Sequence, residues 1–160
     1  MKKLAPWDRM IRHKLVKILG NGLKPVFAIH HRLLPEKRYV IPEVSYARRP
    51  SVPHGPIPYV VWQTNYSNEV TLSVYANYLF NRWLSPEFEF RYSSDETCDA
   101  FVRDNYPAAV YGAYARLNVG ASRADFWRVL VLLKHGGIYL DIDSNVTGAD
   151  FRAIRLERLA

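Results

Sequence analysis

The chain has 160 residues, enough for one domain with its own core, and its 49% hydrophobic content excludes an intrinsically disordered protein. The formal charge of +7 is unevenly spread: residues 1–55 hold twelve Lys and Arg against three Asp and Glu, and the remainder ten against twelve. A single cysteine, Cys98, excludes an intrachain disulfide, and no apolar run is long enough to span a bilayer.

Residues 6–19 are predicted to form a basic amphipathic helix. Trp7, Met10, Ile11, Leu15, Ile18 and Leu19 fall largely on one side, Lys2, Lys3, Arg9, Arg12, Lys14 and Lys17 supply charge, and Gly20-Asn21-Gly22 ends it. Two readings are open: the helix packs on the domain with its charges solvated, or it makes peripheral contact with an anionic membrane. Nucleic acid is not expected as a partner, because no reading motif accompanies the charge. No compact apolar stretch with a small-residue cleavage site follows the basic start, so a secretory signal is not expected. With the lone cysteine, this points to a cytoplasmic chain, held at the inner face of the membrane where the helix docks there. Residues 35–58 are proline-rich and basic, which reads as a linker or an extended wrap. The chain thus divides into a basic helix and linker, residues 1–55, and a domain over residues 56–160.

Within the domain, residues 57–63 are predicted as a strand. A helix follows over 69–84, where Tyr75, Tyr78, Leu79, Phe80 and Trp83 read as core. A second strand is expected near 88–92, then helices near 95–105 and 107–117. Cys98, in D-E-T-C-D-A-F, reads as an inert packing residue, and Tyr92-Ser93-Ser94-Asp95 as loop candidates at a site. Strands alternating with helices argue an α/β fold with a parallel sheet, whose carboxyl ends would meet at one edge.

The stretch Ser122 to Asn145, S-R-A-D-F-W-R-V-L-V-L-L-K-H-G-G-I-Y-L-D-I-D-S-N, carries the chemistry. Ser122 is expected to cap a helix, with Asp125 in its first turn and Arg128 three residues on, sharing a face. Phe126, Val129, Leu130 and Leu133 mark the expected buried side, with Val131 and Leu132 broadening it. Gly136-Gly137 stop the helix, and residues 137–143 alternate as a strand. In a strand, Asp141 and Asp143 share a face and Ile142 points into the core. Two neighbouring carboxylates repel unless a cation or a proton sits between them; taken alone, the D-x-D also reads as a solvated strand end or turn, and Asp125 with Arg128 as an ordinary helix pair. Mg²⁺ or Mn²⁺ suits such oxygens and completes its shell with phosphate and water. The same stretch also resembles the start of a calcium loop, but Val146 replaces the required glycine and Arg152 the required glutamate, so an EF-hand is rejected.

R-A-D-F-W-R…L-K-H-G-G-I-Y-L-D-I-D resembles the signature of the D-x-D glycosyltransferases of family 32, which include initiating mannosyltransferases and bacterial capsular polysaccharide transferases. Ile57-Pro58-Tyr59-Val60-Val61-Trp62-Gln63-Thr64 is similar to the family's first strand, and residues 84–91 to its second. Trp62 stands where the family commonly has His before Gln-Thr, and Asn65 where it has Trp. The resemblance implies a GT-A-like, Rossmann-type donor-binding half and a retaining transfer of a hexosyl group. The donor would be a nucleoside-diphosphate sugar, the acceptor a glycan or lipid-linked hydroxyl, and Mn²⁺ or Mg²⁺ the cofactor. It implies that Asp141 and Asp143 handle metal and diphosphate, Asp143 most directly. Asp125 would bind the donor sugar, and Arg128 its hydroxyl or phosphate oxygens. Trp62 would face the nucleotide base, or else serve as a core aromatic. Seventeen residues follow Asp143, so little acceptor-binding surface is expected, and a non-catalytic binding homologue is the alternative.

Overall fold

Val60–Thr64 (β3) is a run of Val, Val, Trp, Gln and Thr in which four of five residues are buried, as expected of a strand covered on both faces. The computed structural model describes residues 25–50, 52 and 57–146. In it β3 lies between Glu89–Ser93 (β5) and Ile138–Tyr139 (β6) and runs parallel to both. Val44–Ser45 (β2) adds to β5 antiparallel, giving the order β2-β5-β3-β6. Tyr39–Val40 (β1) and Glu69–Val70 (β4) form a small antiparallel pair beside it.

Residues 25–33 are helical (α1), and Leu72–Leu84 (α2) connects β4 to β5. Asp95–Asn105 (α3), Ala108–Ala115 (α4) and Gly120–His135 (α5) lie between β5 and β6. The pleat of β3 separates two cores. Val61 joins Phe90, Tyr92 and Tyr78 of α2 on one side; Trp62 joins Cys98, Val102, Tyr114, Trp127, Leu130 and Val131 of α3–α5 on the other. Helices on both faces of a parallel sheet make a layered α/β fold.

Several predicted boundaries shift, each for a local reason. Residues 39–45 wrap onto the sheets through β1 and β2, and Ile41 between them is fully buried. Glu69 and Val70 pair as β4 before α2 begins. Helix α5 starts at Gly120 with Val119 as its cap position and no side-chain capping bond. Ser122 therefore lies inside the helix, and Asp125 in its second turn. The inward stripe of α5 is Trp127, Leu130 and Val131, whereas Val129 and Leu133 are exposed. The indole decides this rotation: Trp127 packs edge-on against Trp62 and Phe101, with centroids 6.3 and 6.2 Å away. The predicted helix 6–19 and the tail beyond 146 lie outside the described residues.

Gly136 and Gly137 have φ of 67° and 93°, values that L side chains rarely adopt. A Cβ on Gly137 would sit 2.7 Å from the Val60 carbonyl oxygen and 2.9 Å from Trp62 Nε1. The glycine pair thus lets the chain leave α5 and press directly against β3. Trp62 Nε1 donates to the Gly136 carbonyl at 2.9 Å and fixes the joint.

Candidate active site

Because β3, β5 and β6 are parallel, their carboxyl ends share one edge, the place where open α/β sheets bind ligands. Asp141 and Asp143 emerge there. The strand is shorter than its alternation suggested, since ladder pairing stops at Tyr139. The Leu140 N–H still reaches the Trp62 carbonyl at 3.0 Å, and the chain then turns, the Ser144 N–H donating to the Asp141 carbonyl at 3.0 Å. The aspartates therefore sit on a turn, and strand alternation does not set their relative direction. Both are exposed, and neither forms an ion pair among the described residues.

Helix α2 holds this turn from the side. Asn77 Nδ2 donates to the Ile142 carbonyl at 2.7 Å and the Ser144 carbonyl at 2.9 Å. Asn81, which is fully buried, donates through Nδ2 to Ser144 at 2.8 Å and accepts the Val146 N–H at 2.8 Å. Ile142 packs against the core cluster that contains Tyr78.

Asp125 and Arg128 form an ion pair at 2.9 Å on the exposed side of α5. Such an i,i+3 pair stabilises a helix by only about 0.2–0.5 kcal/mol. The Arg128 guanidinium also lies over the Tyr139 ring, 5.5 Å from its centroid. Burial first, and then the Asp141 carboxylate facing its hydroxyl, push the Tyr139 phenol up from its ordinary value. It stays protonated at neutral pH, able to donate to a carboxylate. Tyr139 thus connects α5 to the acidic turn, and the order Asp125, Arg128, Tyr139, Asp141 is one chain of neighbours.

Trp62 is placed differently from the expectation at a strand end. It is the middle residue of β3, 8% exposed, with its N–H committed to Gly136 and its ring stacked on His135 at 5.6 Å. That is the setting of a core aromatic. The loop candidates are also committed: Tyr92 and Ser93 are buried, and Ser94 caps α3 by accepting the Thr97 N–H at 3.3 Å. Cys98 is buried against Thr64 Oγ1 at 3.1 Å, and burial pushes its thiol up to about 12, which leaves it inert as a nucleophile.

Asn77, Asn81 and Tyr139 carry site geometry that motif reading did not assign. Two asparagines one turn apart on an aromatic helix were the available signal, because Asn is a poor interior helix residue unless its carboxamide is used.

Carboxylate oxygens are the donor type that a hard divalent cation prefers. Two exposed carboxylates with no cationic partner are available, and no group of three or more metal-binding side chains forms among the described residues. The rest of a coordination shell would come from phosphate and water, as is usual for Mg²⁺ at phosphate-bearing substrates.

A parallel α/β sheet with this acidic turn defines a class, and sequence comparison supplies the family. Residues 54–149 match the glycosyltransferase sugar-binding region containing DXD motif. The chain is 33% identical over 118 residues to the initiation-specific alpha-1,6-mannosyltransferase of Schizosaccharomyces pombe, covering 71% of this chain and 28% of that protein. The corresponding enzyme of Candida albicans is 30% identical over 122 residues, 69% of this chain and 32% of that protein. Inositol phosphoceramide mannosyltransferase 3 of S. pombe is 33% identical over 89 residues, 54% of this chain and 24% of that protein. The chain thus spans about a third or less of the length of these relatives. No solved structure matches. The chain belongs to the DXD-containing sugar-binding-region glycosyltransferases.

Proposed function

We propose that this chain forms the donor-binding half of a GT-A-type, metal-dependent retaining transferase that moves a hexosyl group from a nucleoside-diphosphate sugar to a glycan or lipid-linked hydroxyl. The relatives' names favour mannose as the sugar. The carrying observation is the convergence of the Asp125–Arg128 pair, through Tyr139, on the Asp141–Asp143 turn. Asp125 accepts hydrogen bonds from sugar hydroxyls while Arg128, held by Asp125 and the Tyr139 face, donates to a sugar or phosphate oxygen. The protonated Tyr139 hydroxyl orients Asp141. Asp141 and Asp143 would hold Mn²⁺ or Mg²⁺, which neutralises charge developing on the departing diphosphate.

Binding of labelled UDP- and GDP-sugars with and without Mn²⁺ tests this reading. Mn²⁺-dependent binding that Asp143→Ala abolishes, with slow donor hydrolysis, supports the transferase. Binding without hydrolysis assigns a non-catalytic module, and no binding rejects both.

Membrane contact is part of the same proposal; the basic helix expected over residues 6–19 lies outside the described residues, and the neighbouring helix α1 offers a second surface for it. Val26, Ile29 and Leu33 are exposed at i, i+3 and i+7, beside exposed Arg32, Lys37 and Arg38. No helix among the described residues is long and apolar enough to cross a membrane. On the strength of the exposed apolar stripe and its basic neighbours alone, we place the chain in the cytoplasm at the inner face of an anionic membrane.

A further inference from the structure

We infer that Asn77 and Asn81 are positioning residues that set where the two aspartates of the turn can meet a cation; this inference rests on the donor-site reading above. Two carboxylates on one short turn repel, so in the absence of a cation the backbone beneath them must be held if their separation is to suit an ion. A free turn would relax outward, and ion binding would first have to draw it back.

The holding comes from α2. Its two carboxamides lie one helical turn apart and make four hydrogen bonds to residues 142, 144 and 146, between 2.7 and 2.9 Å. These bracket Asp143 on both sides along the chain. All go to backbone groups, so the carboxylates themselves remain available. Residue type matters. Asn supplies two N–H donors and one acceptor, which match the Ile142 and Ser144 carbonyls and the Val146 N–H. An aspartate would face those carbonyls with no donor and add a negative charge. Asn81 is fully buried, where a half-satisfied carboxamide would be costly, and both ends of it are matched. Partners that orient metal-binding residues without touching the metal typically change affinity about 10–100-fold when removed.

The test uses the full chain and Mn²⁺ with GDP or UDP, followed by the paramagnetic resonance signal of free Mn²⁺ and by thermal melting. Wild type and Asp143→Ala set the scale. Asn77→Ala and Asn77→Asp are expected to weaken Mn²⁺ binding by about 10–100-fold with a melting shift below about 10 °C. Val102→Ala, a fully buried change on α3, is the stability control and is expected to lower the melting temperature without moving Mn²⁺ affinity. If Asn77→Ala does not fold, Asn77→Ser, which keeps one donor at shorter reach, replaces it. Wild-type binding lost in Asp143→Ala but kept within about twofold in the Asn77 variants, or lost equally in Val102→Ala, overturns the positioning role and leaves the donor site standing. Indifference of wild type and Asp143→Ala to Mn²⁺ overturns the donor site itself.

Discussion

Arg128 lies over the face of Tyr139, 5.5 Å from the ring centroid, while its guanidinium pairs with Asp125 at 2.9 Å. The first contact fixes the height of the cation above the sheet edge and the second its direction along α5. Replacement of Arg128 by Ala is therefore expected to weaken donor binding about 10–100-fold, the effect of losing one charge-assisted hydrogen bond of about 1.5–3 kcal/mol. Lysine should not restore it, because an ammonium cannot stack or make a planar fork. Titration with a nucleotide sugar checks this; full recovery by Arg128→Lys would remove the geometric argument.

The setting of Trp62 yields a separable outcome. Its indole N–H holds the Gly136 carbonyl and its ring packs on Trp127. Trp62→Phe should lower stability by about 1–3 kcal/mol, the cost of leaving a half-buried carbonyl unpaired plus lost packing. The ratio of UDP to GDP affinity should stay unchanged. A changed base preference, measured by competition, would return Trp62 to the nucleotide.

At Gly137 the expectation is structural. Alanine there meets the Val60 carbonyl oxygen at 2.7 Å and must adopt φ near 93°. Strain of this kind costs on the order of 1–3 kcal/mol before any clash is counted. Gly112→Ala, where nothing lies within 4 Å of the added carbon, should be neutral or slightly stabilising. Urea unfolding of the two variants side by side decides the matter.

Alkaline stability follows from Cys98. Burial raises its thiol from an ordinary 9.0 to about 12. Below pH 9 both folded and unfolded chains keep the proton, and the stabilisation is fully present. Between pH 9 and 12 the unfolded chain releases it while the folded one holds it, so stability falls by about 1.4 kcal/mol per pH unit from this group. Tyr92, pushed up to about 12 by burial, adds the same sign above pH 10. Urea midpoints at pH 8, 9, 10 and 11 should decline less steeply from pH 9 in Cys98→Ala; identical slopes would contradict the assignment.

Helix α1 gives the membrane expectation its handle. Ile29→Glu with Leu33→Glu places two charges in the exposed apolar stripe. Co-sedimentation with vesicles rich in anionic lipid should fall at least tenfold, while the melting temperature stays within a few degrees, because exposed substitutions act weakly on stability. Retained sedimentation would locate membrane contact elsewhere or nowhere.

Motif spacing made the parallel α/β class and the edge where the acids emerge legible, because β3 is a mostly apolar run covered on both faces and α5 is sixteen residues long with a Gly-Gly stop. Periodicity failed where tertiary packing outweighed it. The alternation from Gly137 to Asp143 ran past the true strand end: β3 stops at Thr64, level with Asp141, and beyond it the Asn77 and Asn81 carboxamides take the carbonyls of 142 and 144. On α5 the widest ring, Trp127, rotated the helix and left Val129 and Leu133 outside. The two asparagines reach the turn across 63 to 67 positions of chain, and Tyr139 meets Arg128 across 11, contacts that no local pattern records.

Asp125, Arg128, Tyr139, Asp141 and Asp143 all fall within nineteen consecutive positions, and the glycine joint at 136 and 137 lies between the helical pair and the rest. Short sequence separation means little chain entropy is lost in assembling them. The local part of the site is thus assembled by one short segment, while its far end depends on two carboxamides carried by a helix more than sixty positions earlier in the chain.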